Sequence, residues 1–291
     1  MEDLKGKTAF ITGGASGLGL AMAHAFGEAG MQIMLADIDE PPLAQAVADL
    51  ESRQIKVSSV ICDVVSRAAV QAAADKTLET FGKVHLVCNN AGVGAGGPID
   101  QMKPSDWDWV IDVNLKGVIY GMEVFLPLMR AHGEGGAFVN TASMAGMVSP
   151  PGMEAYSATK FAVVAMSEGW NGQLAAENIH VAALCPGFVR TKINQSGRTR
   201  QAQYGGPVVN PIVAGNLVDS GIDPERVGQR VLESVLAKDM YIFTHPDMRS
   251  AVQMRFARIM AGFDAADASP ALAGMDYTTP DLTAGVRPSG G

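Results

Sequence analysis

Hydrophobic positions along the 291-residue chain alternate between two patterns. Short β-rich runs at 8–12, 32–36, 57–62, 84–88, 137–141, 180–185 and 240–244 predict strands. Between them, longer stretches at 18–29, 42–53, 67–81, 104–132, 155–177 and 224–238 carry helix-compatible spacing. Seven strands alternating with six helices predict βα units. The fold class is therefore α/β, a single doubly wound domain whose seven-stranded parallel sheet carries helices on both faces. No fixed-period repeat is present.

Two segments break the alternation. Residues 190–221 hold Asn, Gln, Gly and Pro with scattered apolar positions, and a connection that long reads as a substrate lid. From about 265 to 291 the chain is small, polar and rich in Pro and Gly, which predicts a C-terminal tail after a domain spanning 1–264.

Composition then narrows the function. Hydrophobic residues make up 47% but aromatics only 6%, so small aliphatic side chains must fill the core. A net charge of −8 without a basic cluster disfavours nucleic acid and anionic membranes as partners. The acidic start, Met1-Glu2-Asp3, lacks the order of a signal peptide. No apolar stretch reaches the roughly 18 residues of a membrane span. Cys62, Cys88 and Cys185 fit neither a zinc pattern nor a disulfide framework, and the five histidines lack metal-ligand spacing. A reduced, cytoplasmic, metal-free protein is expected.

Directly after the first strand come Thr12-Gly13-Gly14-Ala15-Ser16-Gly17-Leu18-Gly19, and then a helix. Strand, glycine turn and helix aim free N–H groups at a pyrophosphate, although a tight turn alone would also use glycine. Asp37 ends the second strand, where an acid accepts from the adenosine ribose hydroxyls and repels a 2′-phosphate. Ser16 and Ile38 stand where a phosphate-binding basic residue would be. The expected cofactor is NAD.

Tyr156 and Lys160 lie four residues apart at the start of a helical stretch, so they share one helix face. Ser143 follows the fifth strand. Together with Asp63-Val64, Asn89-Asn90-Ala91-Gly92, Asn114 and Pro186-Gly187 with Thr191, in that order, the chain resembles the short-chain dehydrogenase/reductase family up to about residue 245.

The resemblance implies a Rossmann fold and an NAD-dependent oxidoreductase acting on a secondary alcohol or ketone. It makes Tyr156 the acid/base, Lys160 the cation that lowers its pKa and binds the nicotinamide ribose, and Ser143 a donor to the substrate oxygen. An ammonium about 4 Å from the phenol would supply roughly the 4 kcal/mol that a three-unit drop needs. Asn114 would hold a water behind Lys160. Gly13, Ser16, Gly17, Leu18 and Gly19 would meet the pyrophosphate end, with Asp37 on the ribose. Asp63 and Val64 would meet the adenine, and Asn89, Ala91 and Gly92 its ribose. Pro186, Gly187, Val189 and Thr191 would flank the carboxamide. The family's pairing of helices also implies a homodimer or homotetramer, in keeping with the apolar girth of 155–177.

For the substrate pocket the expectation is Val93, Gly94, Met144, Met147, Met153, Phe188, Ile193 and Tyr204. That set is mostly apolar and adaptable, which predicts a bulky apolar or aromatic alcohol. Residues 241–246 are similar to a subgroup that includes bacterial Cα-dehydrogenases of lignin-derived aryl ethers. Two other readings stay open: a catalytically silent NAD-binding sensor or scaffold, and a lyase or epimerase of the same fold.

Overall fold

The structure, a computed structural model, describes residues 3–209 and 215–275. Seven strands form one sheet: β1 (Thr8–Thr12), β2 (Gln32–Asp37), β3 (Val57–Ile61), β4 (Leu86–Asn89), β5 (Gly136–Thr141), β6 (Ile179–Cys185) and β7 (Tyr241–Phe243). All pairings are parallel, in the order β3-β2-β1-β4-β5-β6-β7. The sheet is the doubly wound one expected.

Alternation along each strand divides the core into two layers. Ile11, Ile33, Leu35, Leu86 and Val139 pack with Met22 and Phe26 of α1 (Gly17–Glu28), Leu50 of α2 (Glu40–Ser52) and Val231 in the helix 224–237. Phe10, Met34, Val87 and Phe138 pack on the other face with Val70 of α3 (Arg67–Phe81) and with Met122 and Phe125 in the helix 117–132. Strands buried on both faces need the continuous apolar runs seen in the sequence.

The stretch 104–132 is not one helix. It divides into α4 (Pro104–Ile111) and α5 (Gly117–His132), joined by a π-helical turn at Asp112–Lys116. The remaining α-helices among the described residues are α6 (Glu154–Leu174), α7 (Gly215–Asp219), α8 (Pro224–Ala237) and α9 (Arg249–Asp267). Asp223 caps α8 by accepting from the Glu225 N–H, with Pro224 in the first turn.

The chain up to Thr244 forms one compact unit and that from His245 a second. The second contains α9, in which no residue is buried. The expected boundary at 264 therefore falls inside a helix. Part of the expected lid, 210–214, and the tail from 276 lie outside the described residues. Among the described residues no helix is long and apolar enough to cross a membrane.

Candidate active site

The carboxyl ends of the strands border a cavity of about 500 Å³ at the point where chain order reverses between β1 and β4. The loop after β1 is built for close approach. Gly13 and Gly17 adopt φ of +64° and +57°, a region that glycine enters without strain. A Cβ on Gly19 would stand 2.1 Å from the Gly13 carbonyl oxygen. Gly19 thus seats the helix on the loop, and Gly13, Ser16, Gly17 and Leu18 line the cavity.

Thr12 and Asn90 sew the loop to β4. Thr12 Oγ1 accepts from the N–H groups of Asn90 (2.9 Å) and Ala91 (3.0 Å), and Asn90 Nδ2 donates to the Thr12 carbonyl (2.9 Å). Helix α1 follows Ser16, which makes no side-chain capping bond, and has no acid in its first turn, so its leading N–H groups and positive dipole end face the cavity. Asp37 is fixed beside it, accepting from the N–H groups of Ala15 (3.0 Å) and Asp39 (3.1 Å). Asp63, Val64, Ala91, Gly92, Pro186, Gly187, Val189 and Thr191 also line the cavity. An uncapped helix start, a glycine cradle and a fixed carboxylate at the next strand end fit a dinucleotide.

Tyr156 and Lys160 rise from the first turns of α6 and Ser143 from the end of β5, and all three border the same cavity. Lys160 is buried, and its Nζ donates to the Thr141 carbonyl (2.8 Å) while standing 5.5 Å from the Tyr156 ring centroid. Burial pushes its pKa down to about 8. The Tyr156 phenol is held above its ordinary value by burial, against the neighbouring Ser143 hydroxyl, which pulls it down. The protein's own groups therefore do not produce the drop expected from Lys160, because desolvation of the phenolate outweighs them.

Asn114 sits on the π turn and does not line the cavity. Its Oδ1 accepts from the Val93 N–H (2.8 Å) and its Nδ2 donates to the Val93 carbonyl (2.9 Å). A Cβ on Gly92 would lie 3.4 Å from that Oδ1 and 3.6 Å from Lys160 Nζ, so the amide and the ammonium share one small neighbourhood.

Several expected residues lie elsewhere. Asn89 turns into the helix–sheet interface, donating to Asn140 Oδ1 (2.8 Å), and a Cβ on Gly121 would meet its Oδ1 at 1.9 Å. Its neighbour Asn90 takes the place at the cavity. Of the pocket set, Val93, Gly94, Met153, Phe188 and Ile193 line the cavity, whereas Met144, Met147 and Tyr204 do not. Met147 packs against the core around Val163 and Cys185, and Met144 is buried in the turn after Ser143. Tyr204 is buried against Trp109 and Val113, its hydroxyl donating to Asp112.

The sequence reading missed Trp109, Arg198 and Gln201 in the lining. Trp109 and Gln201 are 92 residues apart, and no local periodicity signals their contact.

Cys62, Cys88 and Cys185 are buried free thiols. Among the described residues, His85, His132 and Glu134 place ligand atoms within 4.8 Å of one another at the amino end of β4, the end of the sheet away from the cavity. Both rings are engaged. His85 Nδ1 accepts from the Thr8 N–H and its Nε2 faces Glu134, while His132 holds the Val84 carbonyl and the Glu134 N–H.

A cleft that can cradle a dinucleotide beside a Ser, a Tyr and a buried Lys defines a nicotinamide-dependent oxidoreductase site. The chain belongs to the short chain dehydrogenase family, whose model matches residues 7–202. It is 35% identical to the C alpha-dehydrogenase of Sphingobium sp. strain SYK-6 over 89% of this chain and 87% of that relative. It is 38% identical to 3beta-hydroxysteroid dehydrogenase 2 of Eggerthella lenta over 65% of this chain and 74% of the relative. A Burkholderia phymatum short chain dehydrogenase/reductase solved in complex with NAD superposes with a TM-score of 0.85 at 38% identity, covering 96% of this chain and all of that one.

Proposed function

We propose that the protein is an NAD-dependent dehydrogenase that interconverts a bulky, mainly apolar secondary alcohol and its ketone. The observation that carries this reading is the convergence of Ser143 and Tyr156 at the wall of the cavity, with the buried Lys160 ammonium 5.5 Å from the Tyr156 ring centroid. In oxidation, Ser143 donates to the substrate oxygen and holds it against Tyr156. Tyr156 Oη takes the hydroxyl proton as the carbinol carbon gives up its hydride. Bound NAD supplies the hydride acceptor and a positively charged ring. Lys160 favours the phenolate, and Thr141 holds the ammonium in place.

Cofactor choice follows Asp37, whose carboxylate meets two N–H groups at the cavity and would repel a 2′-phosphate. Arg198, also at the cavity, is paired with Asp39. Substrate size follows the walls: Val93, Pro150, Met153, Phe188, Ile193 and Val218 are apolar, and Lys192 adds an exposed charge beside them. The hydroxysteroid and C alpha dehydrogenases among the relatives support a bulky substrate. The reading includes self-association through α6, which leaves Ala165 exposed and Phe161, Met166 and Trp170 half-buried.

The test follows nicotinamide absorbance with NAD⁺ and NADP⁺ across aliphatic, aryl and steroidal secondary alcohols. Wild type is expected to reduce NAD⁺ with aryl or polycyclic alcohols, and Tyr156→Phe to lose at least about a hundredfold in kcat. Turnover confined to small polar alcohols would discard the pocket reading. NAD binding without turnover would point to a sensor, and product without net cofactor reduction to a lyase or epimerase.

A further inference from the structure

The first half of the expected substrate lid is fastened to the other end of the cleft. Arg198 pairs with Asp39 just beyond β2, and Arg200 donates to Asp106 and Ser105 at the start of α4 while lying over the Trp109 ring. Gln201 stands at the centre of this network. Its Nε2 donates to both oxygens of Asp63, at 2.9 and 3.0 Å, and its Oε1 accepts from Trp109 Nε1–H at 3.1 Å. The direction of the amide is set by chemistry. Trp109 can only donate and an ionised Asp63 can only accept, so the oxygen must face the indole and the NH₂ the carboxylate.

Gln201, Trp109 and Asp63 all line the cavity, and Trp109 is 1% exposed, so the anchor for the amide is rigid. Asp63 Oδ1 accepts from both Gln201 and the Val65 N–H (3.2 Å), whereas among the described residues Oδ2 accepts from Gln201 alone. One acceptor position on Oδ2 is thereby left for a donor arriving in the cleft, and an exocyclic amine is such a donor.

We propose that Gln201 is a positioning residue for adenine recognition: oriented by Trp109, it holds Asp63 so that Oδ2 accepts from the 6-amino group of the cofactor's adenine. This rests on the NAD reading above. The segment that carries Gln201 then serves the adenine end of the cleft, and loss of its amide reaches the cofactor through Asp63.

The experiment is calorimetric binding of NAD⁺ and of nicotinamide hypoxanthine dinucleotide, which carries a carbonyl in place of the 6-amino group. Binding is measured for wild type, Gln201→Ala and Gln201→Glu, with melting temperatures to confirm folding. The Glu variant keeps an acceptor for Trp109 and replaces the donor to Asp63 by a like charge.

Wild type is expected to prefer NAD⁺, and both variants to shrink that preference about fivefold to tenfold, the scale of one net hydrogen bond. Parallel weakening of both dinucleotides, with the ratio unchanged, would mean that Gln201 only braces the fold and overturns the proposal. Equal binding of the two dinucleotides by wild type overturns it as well. If wild type binds neither dinucleotide, the NAD reading itself fails, an outcome distinct from the others.

Discussion

Lys160 shows what a single residue costs in this site. Its ammonium is 3% exposed and its pKa is depressed to about 8, against 10.5 for a free lysine. Below pH 8 both folded and unfolded chains hold the proton, and the full cost of burying the charge weighs on folding. Between about 8 and 10.5 the unfolded chain binds more protons, so this group's contribution to stability rises with pH. Lys160→Met should therefore raise the free energy of urea unfolding at pH 7 by ~1–3 kcal/mol, while removing turnover. The gain should shrink at pH 9.5, and a gain independent of pH would exclude the buried charge as its source. Spacing placed Tyr156 and Lys160 on one helix face and Ser143 after a strand, and the family resemblance joined the three into one site. Asn89 and Asn90 were not distinguishable. At a strand end the phase of alternation decides which of two neighbours faces the crevice, and that phase depends on how β4 pairs with β1 and β5.

At the scale of elements, α1 and α8 meet at a glycine. A Cβ on Gly228 would stand 2.3 Å from the Ala21 carbonyl oxygen of α1. Alanine has a higher helix propensity by about 1 kcal/mol, yet Gly228→Ala should destabilise the protein by ~1–3 kcal/mol, because α8 must lift off its partner. Urea unfolding with an unchanged m-value would show this, and a raised midpoint would mean that the two helices have room to separate. The central strands were legible to within a residue or two, since runs buried on both faces carry the densest apolar signal. The π turn at Asp112–Lys116 was hidden because the residues on either side have ordinary helix patterns. Helix α9 was missed for another reason: Met254, Phe256, Ile259, Met260 and Phe263 are exposed, so no buried stripe marks the helix.

For the whole molecule, βα alternation was enough to predict a parallel, doubly wound sheet, and with it a cleft where the strand order reverses. The walls of that cleft were less legible, because Gln201 and Trp109 meet only after the chain has folded. The proposed association through α6 predicts that sedimentation at micromolar concentration gives two or four times the 30.4 kDa chain mass. A single 30.4 kDa species would contradict it. Such an interface would cover apolar side chains that the separate chain leaves partly in water.

The π turn also governs which changes of length the chain can absorb. Buried Trp109 and Val110 precede it, and buried Val118, Met122, Phe125 and Met129 follow it. One surplus residue is taken up locally, so both flanks keep their inward faces. Deleting a residue elsewhere in 104–132 would rotate one flank by about 100° and turn its apolar side away from the sheet. A deletion within 112–116 would restore an even ladder and leave both flanks in phase. That slack of one residue is where Asn114 obtains its angle, so the same deletion would keep both flanks in phase and displace the amide that brackets Val93.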